Sequence, residues 1–310
     1  MIRIKKGLDI PIYGSPAEEI VDSKKSRSVA ILGDDYVGMK PTMLVEEGDQ
    51  VKLGQPLFED KKNPGVFITS PAGGRIEAIN RGNRRVLQSI VIEVDSEEEF
   101  IEFNTFSEQD LLNASPDSIR EQLISSGMWT SFRTRPYSKI PNVETSPSNI
   151  FISALDTQPL SPNPESIINL NKENFNFGIA VLKQLVSCPI HLSVSENSTL
   201  EVQEDEQLKT HVFAGPHPSG LVGTQMHFIS PASLSNINWS IGYQDVIAIG
   251  HLFKTGFLSA ERVISLAGPQ VNEPAYVKTR LGACTDELTA GELTQRENRI
   301  ISGSVISGRE

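Results

Sequence analysis

Residues 41–78 read PTMLVEEGDQVKLGQPLFEDKKNPGVFITSPAGGRIEA, and the order of turns and apolar positions in this stretch decides the fold. Val51, Leu53 and Leu57 recur at even spacing, the period of a half-buried strand. Gly48-Asp49 and Gly54 fall where such strands must reverse, and a reversal needs a residue that accepts positive φ. Ser70-Pro71-Ala72-Gly73-Gly74 is a further tight turn, and it feeds the alternation Ile76, Ala78. Short strands joined in this way close into a small flattened barrel.

The pattern EGDQVKLGQPL (47–57) followed by SPAGGRI (70–76) resembles the biotinyl/lipoyl carrier domain, the barrel-sandwich hybrid. In that family a hairpin between the two motifs carries a modified lysine. Here the hairpin is Glu59-Asp60-Lys61-Lys62-Asn63-Pro64-Gly65. Lysine is present, but the Met or Ala neighbours are not, and Asn-Pro-Gly makes a wide, stiff turn.

At 310 residues the chain has room for two or three domains. A formal net charge of -11 argues against a nucleic-acid surface. Cys188 and Cys284 are the only cysteines, too few for a disulfide framework or a cysteine-built metal site, and they suit a reducing compartment. The start, MIRIKKGLDIPI, lacks the apolar core of a signal peptide, and no apolar run reaches the length of a membrane span. Any membrane role is then peripheral. No GxGxxG follows a strand, and neither GxxxxGK[ST] nor HExxH occurs, so nucleotide and metal sites of the usual form are not encoded.

Before the barrel motif, a polar stretch at 23–28 precedes the apolar strand Val29–Leu32 and then Gly33-Asp34-Asp35-Tyr36-Val37-Gly38-Met39. Two glycines around Tyr36 and Met39 suit either a turn over a buried tyrosine or a loop whose backbone closes on a ligand. Val86–Val94 is the strand expected to complete the barrel, and Ser96–Glu99 reads as a solvated boundary. Ser115 and Pro116 open a helix that Gly127 stops. Trp129–Lys139 then packs Trp129, Phe132 and Tyr137 among Arg133, Arg135 and Lys139. Structural arginines against a domain seam explain this, and so does a site for an apolar ring bearing polar carbonyls.

Strand, helix, strand alternation from Asn149 to Phe213 predicts an α/β middle domain with parallel pairing. The loop Gly215–Gly220 after a strand end holds His217 between two prolines, as a rigid turn or a ligand loop. His227 and His251 sit alone on predicted helices. From Ser259 two strands around a proline turn, then Leu281-Gly282-Ala283 and a helix start, resemble a soluble-ligand-binding β-grasp domain. The expected architecture is thus multidomain α/β. It has a barrel-sandwich hybrid unit over 1–100, a Rossmann-like α/β unit over 101–257 and a β-grasp unit over 258–310 that reads as cut short.

This order resembles component A of the Na⁺-translocating NADH:quinone oxidoreductase (Na⁺-NQR), a protein family of its own. So do IKKGLD (4–9), DYVGMKPTM (35–43), DKKNPGV (60–66), INRGNRRVLQSIVIEV (79–94), RTRP (133–136), GPHPSGLVGT (215–224), YQDVIAIG (243–250), SLAGP (265–269) and RIISGSV (299–305). The resemblance spans the whole chain and about two-thirds of the family's length. It implies a peripheral subunit on the cytoplasmic face of a bacterial inner-membrane complex, with the other subunits of that complex as partners. NADH oxidation, flavins, iron–sulfur groups and sodium passage are implied for those partners, with no flavin, iron–sulfur cluster or metal on this chain. Ubiquinone is the ligand implied here. The implied site residues are Leu32, Gly33, Tyr36, Gly38 and Met39 with Phe132, Arg133, Arg135, Tyr137 and Lys139, and no residue is implied to be catalytic. Two other classes compete with a quinone-binding subunit: a carrier modified on Lys61 or Lys62, and a scaffold with no ligand of its own.

Overall fold

The computed structural model describes every residue from Met1 to Glu310 except Ser23 and Lys24, which fall in the polar stretch ahead of the first barrel strand. Among the described residues the barrel is made of two antiparallel sheets. One orders Ser28–Leu32, Leu87–Val94, Gly74–Arg81 and Gln50–Val51, and the other orders Pro41–Met43, Pro56–Asp60 and Phe67–Thr69. Val29, Val51, Leu57, Phe58, Ile68, Ile76, Ile90 and Ile92 fill the space between them, each no more than 1% exposed. Gly48 and Gly54 adopt φ of +94° and +85°, so the reversals read from the sequence are the ones the chain makes.

The middle unit is a six-stranded sheet. Ile2–Arg3, Leu208–Ala214, Ile190–Ser195, Asn149–Ser153 and Asn238–Gly242 run parallel in that spatial order, and Arg133–Arg135 closes the edge antiparallel. Ser115 caps the helix Pro116–Ser125 by accepting from the Ser118 N–H, and Gly127 ends it in the left-handed conformation. Helices Lys172–Leu185 and Tyr243–Thr255 pack against each other beside the sheet, presenting Phe175, Val181 and Leu182 to Val246, Ile249 and Phe253. A third sheet orders Glu261–Leu266, Ala275–Arg280 and Ala17–Asp22. Residues 2–3 and 17–22, which precede the barrel in sequence, thus serve the middle and C-terminal sheets instead.

The boundary at Ser96–Glu99 is not simply solvated. Glu98 accepts two hydrogen bonds from Arg280, at 2.8 and 2.9 Å, and one from the Gly73 N–H at 2.8 Å. Both side chains are about three-quarters covered, at 21% and 28% exposure, so this forked pair clamps the C-terminal sheet to the barrel. The neighbouring Lys52–Glu99 pair is exposed and holds little.

A chain of polar side chains crosses the parallel strands on one face. His211 Nε2 lies 2.9 Å from His191 Nδ1, and His191 Nε2 lies 3.1 Å from Asn149 Oδ1. Asn149 Nδ2 donates to Asn238 Oδ1 at 2.9 Å, and Asn238 Nδ2 donates to the Ser230 carbonyl at 2.7 Å. One direction of donation satisfies every link with both imidazoles neutral. Burial, helped by the neighbouring His211, lowers His191 from 6.5 to about 4, and burial also lowers His211. An unfolded chain protonates His191 near pH 6.5 while the folded one refuses the proton until about pH 4. Stability from this group is therefore intact above pH 6.5 and is lost as pH falls through that window. Denaturant midpoints are expected to drop between pH 7 and 4.5, less steeply in His191→Gln. Equal slopes in the two proteins would remove this account.

Candidate functional site

The strand Ser28–Leu32 leaves the barrel in a single 3-10 turn, Gly33–Asp35. The Tyr36 N–H bonds the Gly33 carbonyl at 3.2 Å, and the Met39 N–H bonds the Tyr36 carbonyl at 3.1 Å. Tyr36 points inward, its ring edge-on to Phe58 at 6.3 Å and 89°. Burial pushes its hydroxyl up to about 12, with the Arg133 guanidinium pulling the other way, so it stays a neutral donor. Gly38 holds φ +76° above open space, with the Lys139 side chain the nearest neighbour. Gly33 has a different reason to be glycine: a Cβ there would stand 2.1 Å from the Leu87 carbonyl. Its lack of a side chain serves the barrel and leaves no room to close on a ligand.

The second stretch forms the sheet's edge strand and the turn after it. The Thr134 N–H donates to the Lys139 carbonyl at 2.7 Å and the Ser138 N–H to the Thr134 carbonyl at 2.9 Å. Inside that loop Tyr137 and Ser138 both take positive φ, 81° and 54°, which is uncommon for residues with a Cβ. The Tyr137 ring is 70% exposed. Arg133 and Arg135 are two apart on the strand, so their side chains leave the same face.

These two stretches, about a hundred residues apart in sequence, meet. Arg133 Nη2 donates to the Asp35 carbonyl at 3.5 Å, and the Lys139 stem passes over Gly38. The arginines nevertheless differ. Arg133 is spent on backbone carbonyls: Phe132 at 3.0 Å, Thr130, and Asp35. Arg135 reaches only its neighbour's Thr134 carbonyl, at 3.5 Å, and has no carboxylate partner among the described residues. Burial lowers both guanidinium values, and for Arg135 the charge of Arg133 adds to the effect. Phe132 departs from its expected role. Its ring is fully buried between Trp129 and Trp239, at 5.5 and 5.4 Å, so it forms the floor of the seam and shows no face to a ligand. Leu32 is 41% exposed and Met39 is half-buried against the barrel core. The seam is thus an open, shallow surface with a half-buried cation, a buried phenol and an exposed aromatic ring. Two cavities, of about 580 and 120 Å³, lie elsewhere, the first along Lys183, Val186 and Gln207 and the second beside Asn174, Gln244 and His251.

Sequence reading did not find the groups that frame the seam. Asp35 pairs with Arg309 from the far end of the chain. Asn63, at the tip of the carrier-like hairpin, donates to the carbonyls of Ile140 and Pro141 at 3.3 and 3.1 Å and accepts from Asn142 at 3.2 Å. A carrier hairpin must stand free for its ligase and its partner enzymes, and this one is tied to the middle unit. Lys61 and Lys62 from the native host are therefore expected to be unmodified in an intact-mass and peptide-mass measurement. A biotin- or lipoyl-sized increment on either would restore the carrier reading. The Gly215–Gly220 loop is a turn held from inside: His217 Nδ1 lies 3.1 Å from both the hydroxyl and the carbonyl of Thr157, and its N–H donates to Asp9 at 2.9 Å.

Three family models match the chain in succession. Residues 2–95 match the NqrA N-terminal barrel-sandwich hybrid domain, residues 114–258 the NqrA second alpha/beta domain, and residues 263–310 the NQRA C-terminal domain. Proteins named as component A of the Na(+)-translocating NADH-quinone reductase are similar throughout. That of Yersinia pestis bv. Antiqua is 53% identical over 308 residues, covering 99% of this chain and 69% of its own length. The Serratia proteamaculans protein is 53% identical over 309 residues, with coverage of 99% and 69%. The Haemophilus influenzae protein is 51% identical over 310 residues, with coverage of 100% and 69%.

Proposed function

The chain belongs to the NqrA family, component A of the Na(+)-translocating NADH-quinone reductase, and from that membership we propose that it holds the quinone, at the seam of 32–39 with 133–139. The observation that carries this reading is Arg135. It is a half-buried guanidinium with no carboxylate to neutralise it, on the same face as Arg133 and one short turn from the exposed Tyr137 ring. A quinone carbonyl accepts from such a donor, and the interaction strengthens as the oxygen gains charge on reduction. Tyr137 and Tyr36 supply a ring face and a neutral hydroxyl, Leu32 and Met39 supply apolar contact, and Gly38 and Lys139 form the rim. The two consecutive left-handed residues of the turn support the same reading, since strain of this kind gathers at functional sites.

The chain acts as a non-catalytic component, peripheral on the cytoplasmic face of the membrane and partnered by the membrane and flavin-bearing subunits. No helix among the described residues is long and apolar enough to cross a bilayer, which supports peripheral attachment. Reversal of strand order between Asn149–Ser153 and Asn238–Gly242 supports a Rossmann-like description of the parallel sheet, and the three-stranded C-terminal sheet with its helix Thr285–Thr289 supports a β-grasp. Titration of the 310-residue chain in detergent with a short-chain ubiquinone is expected to saturate. An absence of saturable binding would leave the scaffold reading.

A further inference from the structure

The carrier-like hairpin has lost its usual surroundings and gained charge. Lys61 and Lys62 stand exposed at its tip. The Lys61 N–H donates to the Lys40 carbonyl at 2.8 Å, which places exposed Lys40 on the neighbouring strand. Asn63, bonded to the carbonyls of Ile140 and Pro141, brings the tip beside Lys139, whose stem covers Gly38. None of these four lysines is paired with a carboxylate among the described residues. The nearby acids are mostly occupied. Asp60 accepts from the Lys40 and Lys62 N–H groups at 3.0 Å each, Glu59 accepts from the Gly65 N–H at 2.8 Å, and Asp35 is taken by Arg309, leaving Asp34 exposed. A chain with a net charge of -11 thus carries one cationic face, and that face also exposes Val37 (53%) and Tyr137 (70%).

We propose that this face docks on an anionic lipid surface. Lysine carries a mobile point charge on a flexible stem, which suits a diffuse layer of phosphate headgroups better than the fixed carboxylates of an acidic protein. Exposed aliphatic and aromatic tips between the lysines match the boundary beneath those headgroups. The face is continuous with the seam through Gly38 and Lys139, but the inference stands on charge and exposure and does not depend on quinone binding there.

Co-sedimentation of the 310-residue chain with vesicles tests it. Vesicles of phosphatidylglycerol and phosphatidylcholine are expected to bind the chain at low salt and release it as salt rises, while phosphatidylcholine alone does not bind. The variant Lys40→Gln/Lys61→Gln/Lys62→Gln should bind on the order of a hundredfold more weakly, taking about fivefold per lysine. The control Lys5→Gln/Lys6→Gln/Lys209→Gln should bind like the parent, and quinone affinity in detergent should be unchanged in both. Equal binding to uncharged vesicles, or a control variant as weak as the first, would overturn the proposal. So would capture on poly-glutamate without vesicle binding, which would give the face to an acidic protein.

Discussion

Arg135→Ala is expected to lower the affinity for a short-chain ubiquinone by roughly ten- to a hundredfold, the loss of one charge-assisted hydrogen bond of about 1.5–3 kcal/mol. The fold should survive the change. Arg135 bonds only the Thr134 carbonyl, sits on an edge strand, and leaves no buried acid stranded when it goes. Arg135→Lys should fall between the two, because an ammonium keeps the charge and loses the planar fork. Arg133→Ala is not an inert control, since both arginines share a face and Arg133 also ties Asp35, Thr130 and Phe132 together through their carbonyls. It should cost stability as well as affinity. An Arg135→Ala protein with parental quinone affinity would exclude this residue from the site.

Phe132→Ala is expected to cost about 3–5 kcal/mol of stability, by emptying a closed aromatic cluster. Phe132 and Trp239 are each no more than 1% exposed, Trp129 likewise, and the three rings contact one another at 5.4–5.5 Å. Trp129 is further fixed by its N–H to the Pro141 carbonyl at 2.9 Å and by the Arg120 guanidinium 5.4 Å over its ring. A cavity in this place cannot collapse without moving the edge strand. Denaturant unfolding should show the loss, while the protein still folded binds quinone within a fewfold of the parent. A loss of affinity with stability retained would put the Phe132 ring against the ligand after all.

Local chemistry made much of the molecule legible. The barrel was readable because turn glycines and period-two apolar positions alternate within forty residues, and Gly48 and Gly54 take the positive φ their places demand. The helix at Pro116 was readable from its cap and its stop. Pairings between distant segments left no such trace. Nothing periodic announces that Ile2 lies against Phe213, that Ala17–Asp22 joins the C-terminal sheet, or that Glu98 holds Arg280. The same limit applied at the site. Composition singled out Trp129–Lys139, and the structure brings it to 32–39, but only packing decides that Phe132 turns inward and Tyr137 outward, and that Arg133 is spent on carbonyls where Arg135 is not.

The central claim is that one seam, built from 32–39 and 133–139, holds the quinone. Photo-crosslinking with an azido-ubiquinone, followed by peptide mapping of the labelled chain, tests it most directly. Label is expected on peptides from both stretches, suppressed by excess unlabelled quinone and diminished in Arg135→Ala. Specific label confined to another place, such as the Gly215–Gly220 loop or the cavity beside His251, would contradict the account.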